Sequence, residues 1–255
     1  MLRTSLKALA IVGGLLGASP GAQAAGESVA PPNAGFSFNS TFGTFDRASA
    51  QRGFQVYQQV CASCHAAHLL SYRNLQALGL TEAQVAAIAS QVQIQDGPND
   101  EGQMFERPGR PSDRFRSPFP NQQAARAANN GAYPPDLSVI VKARPDGANY
   151  LYGLLTGYED PPAGFAMGEG MNYNRYFPGH QIAMARPLNP DQVEFADNTP
   201  ATVENMARDV TTFLAWAAEP ELEERRAMGI KIIGFLVILA GLAYAVKRKV
   251  WANAH

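Results

Sequence analysis

Cysteine is nearly missing from this chain. Only Cys61 and Cys64 occur in 255 residues, with four histidines: His65, His68, His180 and His255. A small secreted fold held by disulfides needs more thiols, and a structural zinc site needs more ligands than these residues offer. No internal repeat is visible. Strand-like alternation is sparse, so a mainly α fold is expected. Basic residues are not in surplus: the formal net charge is −1, which disfavours a nucleic-acid partner.

The two cysteines stand together in Cys61-Ala62-Ser63-Cys64-His65. C-x-x-C-H is the attachment pattern of a c-type haem. On a helical turn, positions i and i+3 share a face, so both thiols reach the two vinyl groups of one ring. The adjacent imidazole, His65, is then placed to bind the iron. A redox C-x-x-C would need a thioredoxin-like βαβ setting, and none is visible. One covalently bound haem c is therefore expected. If both thiols carry it, no disulfide can form.

The N-terminus reads as an export signal. Arg3 and Lys7 precede the apolar run Leu9 to Leu16, and Ala22-Gln23-Ala24 follows as a cleavage site. Residues 1–24 are expected to be removed. Near the C-terminus, Gly229 to Val246 is apolar apart from Lys231, which can snorkel. Lys247, Arg248 and Lys249 follow, then Trp251, which suits an interfacial anchor with a cytoplasmic end. The expected layout is an external haem domain over 25–220, a juxtamembrane helix over 221–228, a span over 229–246 and a tail over 247–255. That gives a single-pass protein with its haem domain outside the membrane and its C-terminus in the cytoplasm.

The near-zero net charge conceals an asymmetry. Six of the 21 basic residues lie in the leader and anchor, leaving 15 against all 22 acids in residues 25–228, a surplus of seven negative charges. The acids cluster at Asp96, Asp100, Glu101 and Glu106, at Glu159 and Asp160, and at Glu219, Glu221, Glu223 and Glu224. An acidic face favours a basic soluble partner, although ordinary solubility also accounts for a surplus of this size.

Within the external domain, Asp46 is an expected N-cap for a helix from about Arg47 that runs into the haem motif. Thr81-Glu82-Ala83-Gln84 is a capping box. Gln95 to Asn121 reads as a long loop. Short helices are expected over Gln122 to Asn130, ended by Gly131, and over Asn149 to Leu155, ended by Gly157. Tyr158 to Pro190 reads as a loop wrapped over something flat and apolar. A helix with Thr199 as N-cap and Pro200 in its first position comes next, with an apolar stripe of Val203, Met206, Val210, Phe213, Leu214 and Ala217. Pro220 interrupts it before a further helix enters the membrane.

An electron carrier closes the second axial position of its haem, whereas a sensor or peroxidase leaves it open. Met206 belongs to the apolar stripe and Met104 to a polar loop. Met167, Met171, His180 and Met184 share the covering loop. His68 is too close to His65 to reach the far face. Met184 leads these candidates because Ile182-Ala183-Met184 is apolar and Pro187, close behind, stiffens the segment.

Five stretches resemble cytochrome c1, the haem subunit of ubiquinol–cytochrome c oxidoreductase. They are Arg52-Gly53-Phe54-Gln55-Val56-Tyr57, the run from Ala124 to Gly131, Pro134-Pro135-Asp136-Leu137-Ser138, Tyr176-Phe177-Pro178-Gly179 leading to Met184, and the run from Phe213 to Pro220. The resemblance, to bacterial members in particular, implies a cytochrome c-like haem domain with loop insertions plus one C-terminal transmembrane helix. It implies a bacterial inner membrane, with the haem domain in the periplasm. It implies Met184 as sixth ligand and Arg126 beside a haem propionate. It also implies cytochrome b and a Rieske iron–sulfur subunit as partners, with a soluble basic cytochrome c as electron acceptor. Some bacterial members carry an extra cysteine pair near the methionine loop; this chain cannot. The competing readings are a tail-anchored haem sensor and a haem peroxidase, for which His180 is the distal candidate.

Overall fold

The structure, a computed structural model, describes residues 29–253, so the expected leader lies outside the described residues. Helix α1 spans Arg47–Gln59, and the Asp46 side chain accepts from the Ser49 amide, the cap read from the sequence. The chain then tightens into a 3-10 turn at Cys61–Ser63. A longer 3-10 segment, Tyr72–Leu78, ends at Gly79. Helix α2, Glu82–Ser90, carries the expected capping box between Thr81 and Gln84. Helix α3, Gln122–Ala128, is capped by Asn121. It is closed at Gly131, whose φ of +85° favours glycine and whose amide donates to the Arg126 carbonyl at 2.8 Å. Helix α4 spans Gly147–Thr156 and stops at Gly157.

The expected long loop after residue 95 contains a hairpin. Strand β1, Gln93–Asp96, pairs antiparallel with β2, Phe105–Pro108. Charge rather than apolar alternation holds it: Arg107 bonds Asp96 and, at 2.6 Å and 3.0 Å, both oxygens of Asp113. The covering loop contains a second small pair, β3 at Asn172–Tyr173 with β4 at Gln181–Ile182.

The expected start of the next helix is corrected. Helix α5 runs over Val203–Ala218 with Thr202, not Thr199, as N-cap; the Thr202 hydroxyl accepts from the Asn205 amide at 3.1 Å. Thr199 is drawn instead into a turn in which its amide donates to Asp197. The helix breaks around Pro220, and α6 runs unbroken over Leu222–Val250. Its apolar window has a mean hydropathy of 2.2, and none of it is buried against the rest of the chain. At ~1.5 Å per residue it is long enough for a ~30 Å hydrocarbon core.

The core lies where α1 crosses α5. Gly53 makes the crossing close: a Cβ there would stand 1.9 Å from the Asp209 carbonyl oxygen. Around it Phe54, Tyr57, Phe115, Phe213 and Trp216 pack ring to ring at 5.6–5.9 Å. Each such fully buried apolar side chain stabilises the fold by about 1.5–3 kcal/mol. The stripe read on α5 is too narrow, because from Asp209 to Ala218 every residue is buried. Asp209 is only 2 % exposed and is matched by Arg52 at 2.7 Å and the Ser49 hydroxyl at 2.6 Å. A buried carboxylate requires such partners.

Candidate haem site

The crossing of α1 over α5 fixes the end of α1, and Cys61-Ala62-Ser63-Cys64-His65 begins one residue beyond its cap. The turn is tight: the Cys64 and His65 amides donate to the Cys61 carbonyl at 3.1 and 2.8 Å. Both thiols are free, Cys61 half-buried and Cys64 exposed. Burial pushes the Cys61 thiol up to about 12, with Cys64 adding to the rise. Redox C-x-x-C motifs depend on the opposite shift. No group of three or more possible metal-binding His, Cys, Asp or Glu occurs among the described residues.

His65 Nδ1 lies 2.8 Å from the Pro135 carbonyl oxygen. A carbonyl only accepts, so Nδ1 carries the proton and Nε2 keeps its lone pair. Burial holds this imidazole below its usual range, against the pull of Pro135 and Asp136. The ring is thus neutral, oriented and ready to ligate, the arrangement that a metal-bound histidine needs.

The stretch Pro134-Pro135-Asp136-Leu137-Ser138 keeps that lock in place. The Leu137 amide donates to the Ala66 carbonyl at 2.7 Å. Asp136 accepts from the His68 amide at 3.0 Å and from its ring, and the Ser138 hydroxyl accepts from the Leu69 amide at 3.0 Å. Burial would raise the Asp136 carboxyl, but the bonds from His68 and Ser138 hold it below the usual range. His68, too close to His65 to reach the far face, is exposed and paired to Asp136. The residues were visible in the sequence, but this role was not, because any residue supplies a carbonyl.

Met184 is half-buried, and its carbonyl accepts from the Tyr158 hydroxyl at 3.0 Å. Arg186, two residues on, donates to the Tyr158 carbonyl. The loop is thus pinned on both sides of Tyr158 without a disulfide. Of the other methionines, Met206 is core and Met104 and Met171 are exposed, whereas Met167 is half-buried like Met184. Leu154 and Leu155 on α4, and Phe177 and Ile182 in the loop, are half-buried apolar residues. The paired thiols and the oriented, neutral His65 are the donor chemistry that a c-type haem needs.

Arg126 is exposed at the end of α3, where it donates to the Gly131 carbonyl at 2.8 Å and lies 5.6 Å above the Tyr133 ring. Arg144 was not singled out from the sequence; its charge opposes the rise that burial imposes on the half-buried Tyr150 hydroxyl. Burial likewise raises the hydroxyl of Tyr158, the residue that donates to the Met184 carbonyl.

Residues 36–254 match the family model described as the Cytochrome C1 family. The chain belongs to that family. It is 51% identical over 252 residues to "Cytochrome c1 1, heme protein, mitochondrial" of Arabidopsis thaliana, covering 96% of this chain and 82% of the relative. It is 49% identical over 271 residues to "Cytochrome b/c1" of Bradyrhizobium diazoefficiens, covering 97% of this chain and 39% of that longer protein. It is 50% identical over 229 residues to "Cytochrome b-c1 complex catalytic subunit, mitochondrial" of Candida albicans, covering 89% and 80%. The cytochrome c1 resemblance is therefore confirmed, a bacterial relative is among the matches, and the expected haem agrees with the relatives' names.

Proposed function

We propose that this cytochrome c1 family chain carries one haem c on Cys61 and Cys64, with His65 and Met184 as its axial ligands. Its role is to pass single electrons from a Rieske iron–sulfur protein to a soluble basic cytochrome c within a quinol-oxidising complex that contains cytochrome b. The chain itself performs no substrate chemistry. The observation that carries this reading is the neutral His65 ring, held by the Pro135 carbonyl directly after the paired cysteines. The bound haem supplies a one-electron couple. The protein orients the histidine, holds the methionine loop through Tyr158 and covers the ring with apolar surface. A thioether ligand favours ferrous iron and raises the potential.

Arg126 is the propionate partner that the resemblance implies. Arg144, whose charge opposes the rise of the Tyr150 hydroxyl, is a second candidate for that role. The sensor and peroxidase readings need an open or displaceable sixth position, and the peroxidase also needs a distal acid–base residue. His180 is instead stacked on Tyr173 at 5.7 Å, with Nδ1 bonded to the Arg175 carbonyl at 3.0 Å.

The haem domain is assigned to the periplasm and the chain to a bacterial inner membrane, with α6 as the single span and Lys247, Arg248 and Lys249 on the cytoplasmic side. Of the acidic clusters, Asp100, Glu101 and Glu106 are exposed without ion pairs among the described residues, whereas Asp96 is bound to Arg107. Glu219 is paired with Lys142 and Arg225, and Glu223 with Arg47. Glu159 and Asp160 are likewise exposed and without ion pairs among the described residues, so they and the hairpin acids are the docking candidates for a basic partner.

Visible spectra of the purified protein with and without cyanide or carbon monoxide test the reading. A low-spin spectrum that resists both ligands is expected. Ready binding of carbon monoxide by the reduced protein would favour the sensor class.

A further inference from the structure

Phe42 is 76 % exposed. One exposed ring is ordinary on a protein surface, so its surroundings must carry any meaning. Phe42 sits in a turn closed by the Gly43 amide, which donates to the Ser40 carbonyl at 3.0 Å. Two side chains from the start of α6 fasten this turn. Arg226 donates to the Gly43 carbonyl at 2.6 Å and to the Phe38 carbonyl at 3.0 Å. Glu223 accepts from the Phe45 amide and from Arg47, each at 2.8 Å.

Arg226 lies three residues before Gly229, where the apolar run begins. That separation is ~4.5 Å along a helix. The polar interface outside each side of the hydrocarbon core is roughly 5–7 Å deep. A turn hydrogen-bonded to Arg226 therefore falls at interfacial depth. No charged residue occurs from Val29 to Phe45, although 17% of the chain is charged.

We propose that the Ser40–Gly43 turn is a second membrane contact, with Phe42 entering the interface of the bilayer that α6 crosses. This rests on the reading of α6 as the membrane span. An aromatic ring at the headgroup boundary gains from burying its apolar face. The contact would also limit rotation of the haem domain about α6, because a single helix leaves that rotation open.

The test uses the full haem-loaded chain in its complex and native membranes. Benzoylphenylalanine replaces Phe42, or in separate samples Phe105 or Leu239, and irradiation is followed by mass analysis of the adducts. Phospholipid adducts at Phe42 should exceed those at the exposed hairpin residue Phe105 by roughly tenfold or more, the preference conferred by burying an aromatic ring. Equal lipid labelling at Phe42 and Phe105, adducts at Phe42 only with a protein subunit, or no adduct there would each overturn the proposal. Leu239 reports on the span itself. If Leu239 labels lipid or a membrane subunit while Phe42 fails, the span stands and the second contact falls; failure at both sinks the span reading with it. If the Phe42 chain is not recovered, Phe42→Trp in vesicles of dibrominated phosphatidylcholine replaces it. Quenching beyond that of the unsubstituted chain is expected, and equal quenching would overturn the proposal.

Discussion

Tyr158→Phe isolates one contact that supports the assigned sixth ligand. The ring is 8 % exposed, so phenylalanine keeps its packing and removes only the hydroxyl that donates to the Met184 carbonyl at 3.0 Å. A hydrogen bond of this kind contributes about 0.5–1.5 kcal/mol net. If about 1 kcal/mol of that loss falls on the ligated geometry, the population with Met184 released rises about fivefold, since ~1.4 kcal/mol is tenfold. Cyanide competes with the thioether for ferric iron, so its affinity should rise by the same factor, read by optical titration. The denaturation midpoint should fall only slightly. Tyr150→Phe, which leaves the Met184 carbonyl bond intact, serves as the control. An unchanged cyanide affinity in Tyr158→Phe would refute the reasoning, and would mean either that Met184 is not the ligand or that its loop is held elsewhere.

Met184→Leu should fold, lose its low-spin spectrum and show a much lower potential in redox titration, while Met171→Leu, at an exposed position, should change neither. Asp209→Ala removes the buried acceptor of Arg52 and Ser49 but leaves Arg52 its partly exposed pair with Asp197 at 2.7 Å, and should cost about 1–3 kcal/mol in chemical denaturation followed by circular dichroism. Arg126→Gln and Arg144→Gln separate the two propionate candidates: the variant that lowers the haem potential identifies the partner, since a nearby cation disfavours the oxidised, more positive iron. Reversing Asp100 and Glu101 to lysine should slow electron transfer to a basic cytochrome and flatten its salt dependence in stopped-flow measurements, leaving the potential in place.

What the sequence made legible was local. Asp46, Thr81 with Gln84, and Gly131 act within a few residues of themselves, and the helices they bound appear where expected. The cysteine–histidine motif is local in the same sense. The hairpin over Gln93–Pro108 has no apolar alternation, because its stability rests on Arg107 between two carboxylates, one of them Asp113 beyond its end. The start of α5 moved by three residues because Asp197 captures Thr199, a competition between neighbouring caps that spacing does not rank. The His65 lock was illegible for a further reason. Pro135 contributes a backbone oxygen, so no side-chain pattern reports it; only the fold brings residue 135 to residue 65.

Helix α1 explains how these parts act together. Near its start, Arg47 meets Glu223 at the beginning of the anchor. At its middle, Arg52 and Gly53 lock against Asp209 on α5. At its end the chain turns directly into Cys61. A short rigid helix thus links the membrane span, the buried core and the haem attachment turn. Each link has a different physical basis: a partly exposed ion pair, a buried charge at a close crossing, and a covalent continuation. The first is the weakest, because exposed pairs contribute little and are screened by salt. Misorientation of the haem domain over the membrane should therefore begin at Glu223 and Arg226 rather than in the core. For the proposed carrier, meeting a donor on the membrane side and an acceptor in solution, this junction would set which face of the haem each partner reaches.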